Sequence, residues 1–155
     1  MFAMPATGVV APAPERVLVL FEPTPRGRAA LRAAAELIGA HGGLTIVALA
    51  PQSPRSRCCG PSAELVNCAV RDAAERDLRE AREVLGRAAE RATFHSLVGL
   101  RDPSLPAWAR QHEFDLVVLP ARPLRLRGHP WARRLRRACA AEVRVVGESR
   151  RPRPT

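Results

Sequence analysis

Asp115-Leu-Val-Val-Leu-Pro-Ala-Arg-Pro123 runs into an arginine-loaded segment that extends to Arg137. Its first half reads as a strand buried on both faces, because the apolar run is unbroken. Its second half is a loop in the place where a phosphate-binding α/β protein carries glycines. Glycine lets backbone N–H groups approach a phosphate and adopts positive φ; proline fixes φ and has no N–H to donate. With Pro120 and Pro123 in that loop, the stretch combines a nucleotide-binding architecture with a loop chemistry that looks disabled.

Strand and helix patterns alternate on either side of this stretch. Residues 16–21 (Arg-Val-Leu-Val-Leu-Phe) form a second buried run, stopped by Pro23 and Pro25. Residues 29–40 predict an alanine-rich helix with Ala30, Leu31, Ala34, Leu37 and Ile38 as its stripe, ended by Gly42-Gly43. Residues 44–49 are a strand and 51–61 a long loop. A helix over 62–91 then repeats Val70, Ala74, Leu78, Ala81, Leu85, Ala88 and Ala92 at spacings of three and four. Its outer face offers the acid-first pairs Asp72–Arg76, Glu75–Arg79 and Glu83–Arg87. Residues 93–98 make a strand, 105–112 a short helix with Trp108, and 142–146 a last strand. Pro130 opens the final helix as a first-turn residue. There Trp131, Leu135 and Ala138 line one face while Arg133, Arg134, Arg136 and Arg137 fan across the other.

This alternation predicts an α/β three-layer sandwich, a five-stranded parallel sheet flanked by helices on both faces. Ligands of such sheets bind beyond the carboxyl ends of the strands, where strand order reverses. The loops 22–26 and 120–128 are the expected rim of that crevice. Residues 1–14 and the basic stretch 148–155 are expected to be disordered tails around one domain, 15–147.

At 155 residues, with 46% hydrophobic and 26% charged residues, the chain is long enough for a proper core and reads as a soluble globular protein. No apolar run approaches the roughly 18 residues of a membrane-spanning helix. The first residues lack a basic region and are broken by Pro5, so a cytoplasmic location is expected. The net charge of +10 is unevenly placed. Residues 1–115 hold 14 Arg against 13 acids, whereas residues 116–155 hold 11 Arg against 2. Lysine is absent, so the arginines also fit a compositional preference and are weak support for Arg-specific recognition.

Cys58, Cys59, Cys68 and Cys139 show no zinc-ligand spacing, so they are expected to be free thiols and no metal site is expected. A redox role for the adjacent Cys58-Cys59 pair stays open. His41, His95, His112 and His129 fall on separate elements outside any readable nucleophile motif, and only His129 lies beside the expected crevice. Asp102 and Ser104 around Pro103 read as a turn and a helix cap rather than a catalytic pair. No catalytic residue is expected.

The order of elements resembles the universal stress protein family over about residues 15–147. The residues that carry the likeness are Glu22-Pro23-Thr24 after the first strand, Arg101-Asp-Pro103 before a short helix, and Asp115-Leu-Val-Val118. No single motif among them is diagnostic. The resemblance implies the fold that universal stress proteins share with adenine nucleotide alpha hydrolases. It also implies a nucleotide site at Glu22, Thr24 and Leu49, the last where an apolar residue lines the adenine pocket. The family's glycine loop falls here on Pro120, Pro123, Arg133 and Arg134, with Arg122 between the prolines, and all four loop positions depart from the pattern. ATP bound in the family's manner is therefore not expected, and no cofactor is.

Three classes of function are open to such a chain. The first is a non-enzymatic stress-response regulator, a homodimer paired through the strand that carries Val143, Val145 and Val146; the alternative is that this run is simply a buried edge strand. The second is a polyanion binder using Arg122, Arg125, Arg127, Arg133, Arg134, Arg136 and Arg137 with the tail Arg150, Arg151 and Arg153. Aromatics at 4% and the absence of Tyr leave little for base stacking, which favours nonspecific attraction or a phosphorylated ligand at Arg122, Arg125, Arg127 and His129. The third, an enzyme, has no motif behind it.

Overall fold

Strand and helix succeed one another as β1 (Arg16–Leu20), α1 (Pro25–Leu37), β2 (Gly43–Ala50), α2 (Gly60–Leu85), β3 (Ala92–Val98), α3 (Leu105–His112), β4 (Leu116–Pro120), α4 (Pro130–Ala138) and β5 (Glu142–Val146). The computed structural model describes residues 12–38, 41–52, 60–122 and 129–147. Residues 1–11 and 148–155, assigned to tails from sequence, lie outside the described residues. So do Cys58, Cys59, Pro123, Arg125 and Arg127.

All five strands are parallel and pair in the order β3-β2-β1-β4-β5. The chain winds outward from β1 to β3, then crosses back to lay β4 on the other side of β1. Strand order thus reverses between β1 and β4. The strands at the centre are apolar on both faces because both faces are covered. Leu18, Leu20, Val117 and Leu119 pack with Leu105, Trp108, Ala109, Ala132 and Leu135 of α3 and α4. Val17, Val19, Leu116 and Val118 pack on the other side with Ala30, Leu31 and Ala34 of α1 and Ala81 of α2. Farther along α2, Ala74 closes on Ala48, Ala50 and Val98, where small side chains let helix and sheet approach.

Helices α1, α2 and α4 depart from the sequence reading. Helix α1 starts at Pro25, four residues before the expected start, because Thr24 caps it and Pro25 takes the first-turn position that needs no N–H. Helix α2 stops at Leu85, where Gly86 adopts φ +57 and opens a 3-10 turn (Gly86–Arg91). Ala88 therefore lies off the helical stripe and Ala92 opens β3. None of the pairs Asp72–Arg76, Glu75–Arg79 and Glu83–Arg87 closes to ion-pair distance among the described residues; Glu80 instead reaches Arg28 of α1 at 2.7 Å. Exposed pairs gain too little to hold two long side chains in one geometry. On α4 the buried residues are Ala132 and Leu135, while Trp131 and Ala138 are only half-buried.

Candidate functional site

The paired register of β1 with β4 runs from Val17↔Leu116 to Val19↔Val118 and goes no farther. Past it the two strands part, β1 keeping to β2 and β4 to β5. Phe21 N–H donates to the Val47 carbonyl at 2.9 Å, and Ala121 N–H to the Val146 carbonyl at 2.9 Å. The split between them is the crevice expected at a reversal of strand order.

Both rims carry built local structure. After β1, the Glu22 carbonyl accepts from Thr24 N–H at 2.8 Å, and Thr24 Oγ1 accepts from Gly27 N–H at 3.0 Å. The Thr24 hydroxyl is thus committed to capping α1. Gly27 is buried against the Glu22 backbone so closely that a Cβ there would lie 1.9 Å from the Glu22 carbonyl oxygen. This contact fixes where Glu22 sits. From the opposite rim Arg122 Nη2 donates to Glu22 Oε1 at 2.9 Å. Both side chains are about a third exposed, so the pair contributes only about 0.2–1 kcal/mol, but it spans the crevice.

His129 ties the far side of the loop back to β4. Its Nδ1 accepts from Trp131 N–H at 3.2 Å, capping α4, which leaves Nε2 to donate to the Pro120 carbonyl at 2.9 Å. Both bonds require the neutral ring. Burial holds its pKa below the usual 6.5, against the hydrogen bond to Pro120 that raises it; Arg122 adds to the lowering and Glu22 opposes it. A charged ring at a helix N-terminus would also meet the positive end of the macrodipole.

From His129 the outer face of α4 carries Arg133, Arg136 and Arg137, and these four line an open cleft of about 330 Å³. Arg134 points elsewhere, its guanidinium 5.7 Å from the Trp131 ring centre. Arg136 Nη2 donates to the Val143 carbonyl at 3.3 Å. None of Arg133, Arg136 and Arg137 is paired with a carboxylate among the described residues, whereas Arg28, Arg101, Arg122 and Arg144 all are.

No protein-family model matches the chain, and no curated protein matches it. Solved structures do. The universal stress protein UspA from Lactobacillus plantarum matches with a TM-score of 0.69 at 19% identity, over 84% of this chain and 96% of that one. A universal stress protein in complex with cAMP matches at 0.60 and 22% identity, over 89% of this chain and all (100%) of that one. A universal stress protein family protein from Arabidopsis thaliana with AMP bound matches at 0.59 and 11% identity, over 88% of this chain and 94% of that one. This chain has the universal stress protein fold.

Of the positions that the sequence assigns to the nucleotide site of this fold, Glu22, Pro120 and Arg122 meet at the crevice. Leu49 is half-buried near the carboxyl end of β2 and packs with the α3–α4 core. Thr24 is spent on its cap, Pro123 lies outside the described residues, and Arg133 and Arg134 stand on the second turn of α4, facing different ways. The residue at the start of that helix is His129, which sequence reasoning placed near the crevice without its role. The legible signal was its position directly before Pro130, where a cap belongs.

The strand with Val143, Val145 and Val146 is an edge of the sheet, as β3 is at the other side, and among the described residues β5 pairs with β4 alone. Val143 is buried in the core, Val146 half-buried, and Val145 exposed at 41%. Arg144 bonds Glu142 at 2.6 Å and holds its carboxyl below the ordinary range.

The remaining residues have structural work. Asp102 Oδ2 accepts from Val98 N–H at 2.8 Å in a turn where Leu100 has φ 70, and Ser104 caps α3. Asp115 lies at the opposite end of the sheet from the crevice, its Oδ2 accepting from Glu15 and Arg16 N–H at 3.1 and 2.9 Å. His112 stacks on Trp108 at 4.3 Å and His95 tilts against it at 5.4 Å. Cys68 and Cys139 are free. Among the described residues no group of three or more His, Cys, Asp or Glu could hold a metal ion, and no helix is long and apolar enough to cross a membrane.

Proposed function

We propose that this chain is a non-enzymatic regulatory protein of the universal stress protein family, cytoplasmic and homodimeric, that does not bind ATP through the family's loop. The observation that carries this reading is the chemistry of the rim, where Pro120 stands in place of a phosphate-binding glycine. Pro120 contributes no N–H and a carbonyl already bonded to His129, and the Glu22–Arg122 bond at 2.9 Å adds a minor contribution. Two proteins of the same fold hold an adenine nucleotide, cAMP in one and AMP in the other, so a nucleotide is the ligand to test first. Equilibrium dialysis of ATP with magnesium at moderate salt is expected to show no saturable binding at micromolar concentrations. One-to-one micromolar binding would overturn the reading.

The homodimer rests on the open edge of β5 with Val145 exposed. Pairing there would displace Arg136 from the Val143 carbonyl. Light scattering over a range of concentrations tests it; a monomer throughout would exclude it.

A second reading is favoured by a separate observation. Three arginines without carboxylate partners among the described residues share one cleft on α4, and concentrated unpaired charge of one sign attracts anions of the other. In this reading the chain binds polyanions, either nucleic acid without sequence preference or a phosphorylated ligand. Retention on a phosphate-bearing column that salt does not weaken would count against it.

A further inference from the structure

We infer that the cleft on the outer face of α4 is a binding site for a small ligand carrying two or more linked phosphates. The site is formed by Arg133, Arg136 and Arg137, and it is distinct from the crevice between β1 and β4. The inference rests on the anion-binding reading above and names its site and ligand class.

The spacing is the first argument. Positions 133, 136 and 137 are three and four residues apart, so their side chains rise from one helical face as a fan. Four residues of helix advance about 6 Å, a span that long arginine side chains close easily around one oligophosphate. The second argument is the volume. A cleft of about 330 Å³ is at the lower end of the range for small-molecule sites. It is open along one side, as a site must be if the ligand extends beyond its phosphates. The third is the chemistry of the lining. Among the described residues the lining is three guanidiniums and an imidazole. Trp131, the aromatic ring on the same helix, is covered by Arg134. That set of lining groups recognises phosphate.

Charge state supports the same assignment. His129 is held neutral by its two bonds and caps the positive end of α4. Arg136 is tethered to the Val143 carbonyl, so one of the three guanidiniums is placed before any ligand arrives. Guanidinium forks bind phosphate oxygens in pairs, and each phosphate offers more acceptors than one arginine satisfies. A chain of two or three phosphates carries more charge and more acceptor oxygens along that span than a single orthophosphate does, so it satisfies three guanidiniums more fully.

The test is isothermal titration of the full chain with inorganic tripolyphosphate, pyrophosphate and orthophosphate, without magnesium and at moderate salt. The expected result is one-to-one binding of tripolyphosphate, weaker by about tenfold for orthophosphate. A double variant, Arg133→Gln with Arg137→Gln, should weaken tripolyphosphate by at least about tenfold. Arg134→Gln, which changes the same helix by one charge outside the cleft, should leave it within about twofold. These residues are exposed, and a melting curve of each variant confirms that it folds. Equal affinity in wild type and the double variant, or several phosphates bound per chain, would overturn the assignment while leaving a general anion-binding role standing. A single-stranded oligonucleotide that binds tighter than tripolyphosphate would do the same, and would point to nucleic acid. If no anion binds at all, the anion-binding reading fails with it.

Discussion

Gly27→Ala should destabilise the protein even though alanine is the better helix former. The new Cβ would stand 1.9 Å from the Glu22 carbonyl oxygen and 2.8 Å from its carbon, so backbone must move by roughly an ångström or more to restore contact distance. Neither side is free to do so. The Glu22 carbonyl is held by Thr24 N–H at 2.8 Å, and the residue before it by the Phe21–Val47 bond at 2.9 Å. On the other side, Gly27 N–H is held by the Thr24 hydroxyl at 3.0 Å. Overpacking against such a frame costs up to about 3 kcal/mol. The gain from replacing glycine in a helix is about 1 kcal/mol. The difference is a net loss of about 2 kcal/mol, a fall in Tm of about 4–8 °C for a chain of this size. The assay is thermal unfolding followed by circular dichroism, with Gly43→Ala as control, since a Cβ there meets only the Glu15 carbonyl oxygen at 4.0 Å. A Gly27→Ala protein that melts at or above the wild type would show that the backbone yields there, and that close packing at Gly27 does not position Glu22 on the rim.

Other perturbations separate the remaining contacts. Gly86→Ala, at φ +57 with open space around it, should cost about 1–2 kcal/mol of conformational strain, read as a lower urea midpoint without a change in slope. Asp115→Ala should cost about 1–2 kcal/mol by removing the shared acceptor of the Glu15 and Arg16 amides, and Asp115→Asn should recover part of it, both by the same measurement. His129 binds its proton less readily folded than unfolded, so its contribution to stability is full above pH 6.5 and falls away as pH drops below that value. Asn keeps a capping oxygen without titrating; the Tm difference between wild type and His129→Asn should therefore shift against the wild type from pH 7 to about 5. A difference that stays constant with pH would refute it. Arg122→Ala should lower stability by less than about 1 kcal/mol and should not create micromolar ATP binding in equilibrium dialysis.

Local chemistry explains which parts of this molecule can be read from its sequence. The two central strands are apolar on consecutive residues because both their faces are covered, and that pattern announces a parallel sheet without any knowledge of its neighbours. Helix α3 and strand β5 keep the bounds that sequence gives them, since Ser104 before Leu105-Pro106 and the Glu142–Val146 run each carry their own signals. Pro25 shows the limit. Proline both stops a strand and starts a helix, and only the Thr24 cap decides between them. On α4, Arg133 and Arg134 are equivalent in sequence yet face a cleft and a tryptophan respectively, which depends on how the helix is rotated against the sheet. The bond between Glu22 and Arg122 was beyond sequence altogether. It joins residues 100 apart that meet because strand order reverses between their strands.

Magnitudes decide what such a crevice and such a cleft can hold. A ligand that had to break the Glu22–Arg122 pair would lose at most about 1 kcal/mol, roughly a fivefold weakening, which no competent nucleotide site would notice. The loop is the larger factor. Each backbone N–H aimed at a phosphate oxygen makes a charge-assisted bond contributing about 1.5–3 kcal/mol, and proline offers none. Two lost bonds amount to about 3–6 kcal/mol, or roughly two to four orders of magnitude in Kd. Side-chain guanidiniums do not replace them one for one, because each free arginine gives up about 1.5–2 kcal/mol of rotamer freedom when it is immobilised on a ligand. A site built from arginines therefore needs a ligand that engages several at once with more than one charge. That requirement is met by linked phosphates on the α4 face, where Arg136 is already tethered, and it is not met by a nucleotide held at the rim through Arg122 alone.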